Sequence, residues 1–420
     1  MKGRILIAGG GEAGLSIATT LRDLGYEGDV CMVAAEAAPP YQRPPLSKEF
    51  LCEDNEPKAV HLRAPEFFTD RRIELLLGRT VEAATLNDSG GLAVLDDETE
   101  IAFDRLALAT GSAPLTLPLP GADLPGVVYL RTFVDANRLR AELDHARNVV
   151  IVGGGFIGLE VAATARSRGL DVTVIQAGAR LMSRVVAEPV SSFIHDHHVA
   201  QGIQITLDAA VTGFGGQNGR VGAVELQSGE SVPADLVVIG VGARPVTGLA
   251  EKLGLACENG IIVDANTRTS HPAVVAAGDC TVQPHPHGLD RLISIESVNN
   301  ATEQGRTAAY TLLGLPPHPR GVPWFWSNQG ALKIQIAGLS DGYDDIVVRR
   351  DGTERLTVLY YRMGDLIAAD SVNNPRDHMA VKRALTEGKT IEPSNAADPG
   401  VPLKSLVTHR TEVKHAHGIA

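Results

Sequence analysis

A strand, a glycine-rich turn, a helix and a second strand occur in that order twice in this chain, and the repetition limits the fold more than any other feature. In the first copy Arg4-Ile-Leu-Ile-Ala8 is a short apolar strand, Gly9-Gly10-Gly11-Glu12-Ala13-Gly14 turns it into an amphipathic helix ending near Gly25, and Asp29 to Val33 runs out to Glu36. In the second copy the strand is Asn148-Val-Val-Ile-Val152, the turn Gly153-Gly154-Gly155-Phe156-Ile157-Gly158, the helix Leu159 to Arg168 and the second strand Asp171 to Ile175. Glycines in such a turn make the bend and let backbone approach a pyrophosphate. The helix N-terminus adds unpaired N–H groups, and an acid ending the second strand accepts from a ribose hydroxyl. A glycine motif alone is also an ordinary turn. With both strands, the helix and Glu36 in order, Gly9, Gly11, Glu12, Ala13, Gly14 and Glu36 read as one dinucleotide site. Gly153, Gly155, Phe156, Ile157 and Gly158 read as a second. Two sites in one chain imply FAD in one, a nicotinamide nucleotide in the other, and hydride transfer between them.

A chain of 420 residues has room for about three domains. Its net charge of -12 argues against general nucleic-acid binding. No stretch is long and apolar enough to span a membrane, and the apolar run after Arg4 is a first strand, cut by glycines, rather than a signal peptide. Cys31, Cys52, Cys257 and Cys280 lie far apart without dithiol spacing, so free thiols in a reducing cytoplasm are expected.

The loop after Glu36, Ala37 to Lys48, carries four prolines that stiffen it around Arg43 and Lys48. As a surface loop it would let Ser47 cap a following helix. Tyr41-Gln-Arg-Pro-Pro-Leu-Ser-Lys48 resembles the flavin loop of the FAD-dependent ferredoxin reductases of oxygenase electron-transfer chains, the putidaredoxin and rhodocoxin reductase type with a glutathione-reductase-like fold. The resemblance implies that Arg43 and Lys48 lie beside the isoalloxazine, and that Lys48 pairs with Glu160 in the second nucleotide helix near the nicotinamide.

Further segments follow the same family order. Asp104 to Gly111 reads as a buried strand ending in Thr110 and Gly111, resembling the second FAD motif. Pro114 to Gly126 is a proline-rich linker. Gly240 to Pro245, including Gly242, resembles the nicotinamide-side exit. Val274 to Asp279 is a strand whose terminal acid could accept from the ribityl hydroxyls. Ser297 and Val298 open a segment in which Asn300 and Glu303 have capping-box spacing for a helix through Leu313, and the resemblance aims that helix at the flavin N1 and C2 carbonyl. Gly321 to Gln329 resembles a W-F-W-S-D-Q signature, which implies that Trp326 faces the flavin; Asn328 stands in place of the aspartate.

Gln176 departs from pattern, because an acid is expected there. It loses the charge assistance and the repulsion of a 2′-phosphate, with Arg180 and Arg184 close downstream, so NADPH stands beside the family's NADH. His195 and His198 share a helix face without a metal-ligand pattern and read as solvated, as do His285 and His287 in a proline-rich loop. No metal site is expected. Between Arg72 and Asp104 short alternating runs predict an antiparallel excursion; from Leu332 to Asp370 three runs predict an antiparallel sheet, closed by a helix from Asp377 to Thr386.

The expected fold is α/β, with two Rossmann-like domains and a C-terminal α+β domain. Residues 1–113 and 246–323 would bind FAD, 114–245 NAD(P), 324–406 would form the last domain, and 407–420 a disordered tail. The resemblance implies an NADH-dependent reductase of a 2Fe-2S ferredoxin serving a haem-thiolate or Rieske oxygenase, with catalytic residues Lys48, Glu160 and Trp326. Arg306, Arg320 and Lys333 flank Trp326 in sequence and are candidates for docking an acidic ferredoxin to a monomer or weak dimer. Reductases of rubredoxin, quinones, disulfides or peroxides share this architecture, although the disulfide and peroxide enzymes need a redox cysteine within the Arg43–Lys48 segment, where none occurs. A flavin-binding signalling protein resembling apoptosis-inducing factor is the alternative of a different class.

Overall fold

The computed structural model describes residues 3–52, 60–87 and 90–409. They form two compact units, one drawn from Met1–Ala179 and His198–Arg320, the other from Arg180–His197 and Gly321–Ala420.

The first unit holds both nucleotide-type sheets. One is fully parallel, in the order Val274–Ala276, Arg105–Leu108, Ile5–Ala8, Val30–Ala34, Ile73–Leu77. The strands Ile5–Ala8 and Val30–Ala34 are apolar and buried throughout because both faces are covered. Ile5 and Ile7 point towards the helices Glu12–Asp23 and Val298–Leu312, against Ile17, Leu21 and Ala308. Leu6 and Ala8, one residue out of phase, point to the other face and pack with Ala93, Leu95 and Phe103. Those three belong to a small antiparallel sheet of Val81–Asn87, Gly90–Leu95 and Glu100–Phe103. The expected excursion is therefore shorter than predicted, since Ile73–Leu77 pairs in parallel with Val30–Ala34. The second parallel sheet has the order Gln204–Thr206, Asp171–Ile175, Asn148–Val152, Leu236–Ile239, Val127–Tyr129. Two short strands, Ser112–Pro114 and Ala243–Pro245, pair antiparallel where the chain leaves the first sheet and returns to it.

The second unit is a five-stranded antiparallel sheet in the order Trp324–Gln329, Leu332–Gly338, Asp365–Val372, Arg355–Arg362, Asp345–Asp351, with the helix Pro375–Thr386 packed on it. It also takes residues 180–197 from the expected nucleotide domain. Within the unit Ala187 N–H donates to Tyr360 Oη at 2.9 Å, and Ser191 Oγ donates to the Leu181 carbonyl at 2.7 Å. The predicted tail begins too early, because Val407–His409 pairs with Lys389–Ile391; its remainder, 410–420, lies outside the described residues.

Several local expectations change. Ser297, not Asn300, caps the helix Val298–Leu312, its Oγ accepting from Asn300 N–H at 3.0 Å. Asn300 is buried and donates its side-chain amide to the Ile295 carbonyl. His198 and His285 are buried rather than solvated. Ser47 lies inside a 3₁₀ turn, Pro44–Ser47, and caps nothing.

In the second unit Tyr360 Oη donates to the fully buried Asp370, and burial pushes that carboxyl up to about 7. An unfolded aspartate titrates near 3.9, so from about pH 4 to about pH 7 the native state holds a proton that the unfolded chain has released. Stability from this group is complete below the unfolded value and falls as pH rises to about 7. The urea midpoint of the unit should therefore drop between about pH 5 and about pH 7.5, and Asp370→Asn should remove that slope; an unchanged slope in the variant would contradict the assignment.

Candidate active site

In each glycine turn, the first and last glycines are closed by backbone and the one between them is left open. At Gly9 φ is +126°, and a Cβ would lie 2.0 Å from the Ala109 carbonyl oxygen; at Gly14 it would lie 2.0 Å from that of Gly9. Gly11, the N-cap of the first helix, faces open space. The second turn repeats the pattern: Gly153 has φ +109°, a Cβ on Gly158 would meet the Gly153 carbonyl oxygen at 2.2 Å, and Gly155 is open. Gly9 and Gly14 thus bind strand to helix, while Gly11 and Gly155 leave room above a helix N-terminus for a phosphate. Ala13 is buried behind the first turn. Ile157 stands half-exposed beside the second, in the helix Phe156–Ser167. Glu12 accepts from Thr302 Oγ1 at 3.1 Å, and burial raises its carboxyl above the usual range.

Both acids are preset by donors, local ones for Glu36 and distant ones for Asp279. Glu36 accepts from Tyr41 Oη and from Arg43 Nη2, each at 2.6 Å, and Arg43 also donates to the Arg131 carbonyl at 2.6 Å. The two basic residues of the proline-rich loop therefore go different ways: Arg43 is at the end of the second strand with Glu36, apart from the partner that Lys48 takes. Asp279 accepts from Arg131 Nη2 and from Ser112 Oγ, both at 3.1 Å. Thr110 Oγ1 donates to the Val246 carbonyl at 2.6 Å, next to Gly111 at φ +67°. Gly242, at φ +126°, accepts through its carbonyl from Leu115 N–H. Arg131, Ser112 and Tyr41 were not foreseen as part of the site. The capping box Thr132-x-x-Asp135 was the available signal that Arg131 sits at a fixed strand-to-helix junction.

Lys48 Nζ lies 2.7 Å from Glu160 Oε2, with only 10% and 5% of the two side chains exposed. Ser47 Oγ donates to the same carboxylate at 2.5 Å, Lys48 also donates to the Pro44 carbonyl at 2.9 Å, and Thr164 Oγ1 donates to the Ser47 carbonyl at 3.0 Å. The loop is thereby locked to the helix of the other glycine turn, 113 residues further on. Gln176 Oε1 accepts from Gly154 N–H at 2.8 Å.

Other predicted residues lie elsewhere. Arg180 and Arg184 belong to the second unit, where Arg180 donates to the Val186 and Ser183 carbonyls and Arg184 is exposed. Trp326 is on the first strand of that unit, stacked on Trp324 with ring centroids 5.2 Å apart. Lys382 Nζ sits 4.2 Å from the Trp324 ring centroid. Arg306 is about half-exposed and pairs with Glu303; Lys333 is exposed. Arg320 turns inward, donating to Thr307 Oγ1 and Gln283 Oε1, and burial lowers its pKa. A guanidinium used in this way is not available to a partner, so Arg320 leaves the docking set.

Two open glycine turns on two parallel sheets, with a buried ion pair tying the proline-rich loop to the helix of the second turn, are the arrangement of a two-nucleotide oxidoreductase, and the open positions fit FAD and a nicotinamide nucleotide. The chain belongs to the pyridine nucleotide-disulphide oxidoreductase family, which matches residues 3–305, with a reductase C-terminal domain matching 324–407. It is similar to rhodocoxin reductase of Rhodococcus erythropolis, 40% identical with 98% of this chain and 97% of the relative covered. A crystallised ferredoxin reductase from Rhodopseudomonas palustris is 39% identical with a TM-score of 0.91, over 96% of this chain and 100% of that one. A covalent complex of putidaredoxin reductase with putidaredoxin matches at 37% identity and a TM-score of 0.91, over 96% of this chain and 98% of that one. Among the described residues no helix is long and apolar enough to cross a membrane.

Proposed function

We propose that this chain takes electrons from a reduced nicotinamide nucleotide and passes them to a 2Fe-2S ferredoxin that serves an oxygenase. The observation that carries the reading is the Lys48–Glu160 pair, which ties the flavin-loop motif to the helix of the second nucleotide turn. Bound FAD supplies the redox chemistry, accepting a hydride equivalent and releasing its electrons one at a time. The chain's own residues bind and orient. Gly11 and Gly155 admit the pyrophosphates. Glu36, held by Tyr41 and Arg43, accepts from a ribose, and Asp279, held by Arg131 and Ser112, accepts from the ribityl hydroxyls. Thr110 and Gly111 line the flavin side, as do Ser297 and Val298, which place the positive end of a 15-residue helix there. Lys48 and Glu160 set the charge beside the nicotinamide. Trp326, Arg306 and Lys333 act in electron transfer and docking. Free thiols fit a cytoplasmic protein, acting as a monomer or weak dimer.

The test is anaerobic stopped-flow bleaching of the yellow protein by NADH, followed by ferredoxin. Prompt bleaching and prompt reoxidation are expected. Reduced flavin that persisted in the presence of ferredoxin, rubredoxin and quinone would favour a signalling protein instead. Arg306→Glu should raise the KM for ferredoxin roughly tenfold at low salt, relative to that for ferricyanide; equal changes with both acceptors would remove Arg306 from docking.

A further inference from the structure

Gln176 follows the strand Asp171–Ile175, at the position where an acid would meet the ribose of the nicotinamide nucleotide. Its Oε1 accepts from Gly154 N–H at 2.8 Å. A backbone N–H can only donate, so it must face the carbonyl end of the amide, and the orientation of the side chain follows from its partner. A glutamate would make the same bond with one oxygen and turn the other outward, as a charged acceptor that repels phosphate. In this chain the outward group is Nε2, a two-proton donor. It lies over Gly178, 3.2 Å from where a Cβ of that residue would stand. The glycine turn therefore keeps its support from the second strand while the polarity of the ribose pocket is reversed. Asp208, whose N–H donates to the Gly178 carbonyl at 3.2 Å, brings a carboxylate to the same loop, but the residue is exposed and screened by water.

We infer that Gln176 makes the nucleotide site tolerant of a 2′-phosphate, so that NADPH serves as a reductant alongside NADH. This rests on the reductase reading and adds the specificity of its second site. Nε2 can donate to a ribose hydroxyl oxygen or to a phosphate oxygen, and the charged acceptor makes the stronger bond.

The experiment uses the full chain loaded with FAD and ferricyanide as acceptor, so that no ferredoxin is needed. The kcat/KM values for NADH and NADPH should lie within about tenfold of each other, and Gln176→Glu should shift the ratio towards NADH by about 10- to 100-fold. Competition by 2′-phospho-AMP against 5′-AMP reads the same preference in the unaltered protein, so the result does not hang on the variant's folding. A wild-type preference for NADH beyond about a hundredfold, or a variant in which both nucleotides change equally, overturns the inference. If neither nucleotide bleaches the bound flavin, the reductase reading itself falls and this inference with it, an outcome distinct from bleaching by NADH alone.

Discussion

Glu160→Ala should destabilise the protein by about 3–5 kcal/mol, read as a fall in the urea midpoint at constant slope. The variant leaves the Lys48 ammonium in a place where only 10% of its side chain meets water, and removes the acceptor of Ser47 Oγ as well. Most of the cost comes from the unpaired buried charge rather than from the lost attraction. The double variant Lys48→Met/Glu160→Leu should therefore recover much of the stability. It should not recover fast bleaching by NADH, because the charge proposed to act beside the nicotinamide is gone. If Glu160→Ala costs less than about 1 kcal/mol, the pair is open to solvent and its proposed role fails.

The two glycines of the second turn should separate folding from binding. Gly155→Val adds a side chain where nothing lies within 4 Å of a Cβ, at a φ of -86° that valine adopts readily, so the fold should survive. The added methyls would occupy the open room proposed for the pyrophosphate. FAD content should stay unchanged and dithionite should still bleach the flavin, while the nicotinamide Kd rises roughly 100-fold, about 2.7 kcal/mol. Gly158→Ala instead drives a methyl to 2.2 Å from the Gly153 carbonyl oxygen, and should cost about 1–3 kcal/mol of stability before any ligand is added. Equal nucleotide affinity in Gly155→Val and wild type would show that the open position is not a binding position.

These variants differ in how visible their reasons were before the structure. The glycine spacing showed which residues form each turn, but not which glycine is closed by backbone and which is open. Gly9 is closed by the Ala109 carbonyl, 100 residues away, and Gly14 by that of Gly9 itself. Lys48 and Glu160 were matched only through a family resemblance, since nothing in their spacing places a loop residue beside a helix so far along the chain.

Local order was decided by the sequence itself. The order of strand, turn and helix around Gly9 to Gly14 and Gly153 to Gly158 depends on near-neighbour sterics, backbone hydrogen bonds four residues apart and alternating burial, all of which a linear chain displays, although both helices begin inside the expected turns, at Glu12 and at Phe156 rather than Leu159. The departure at Gln176 was legible for the same reason, as a residue type at a known place on a strand. Tertiary structure alone decided where the charges went: Arg43 to Glu36, Arg131 to Asp279 across 148 residues, Arg320 inward, and His198 and His285 into the interior. It also decided that Ser297 caps a helix assigned to Asn300, because both residues satisfy capping chemistry and only the path of the incoming chain selects one. Long polar side chains reach several partners from one position, and which of them is met depends on how distant strands pair and cross, information that sequence spacing does not carry.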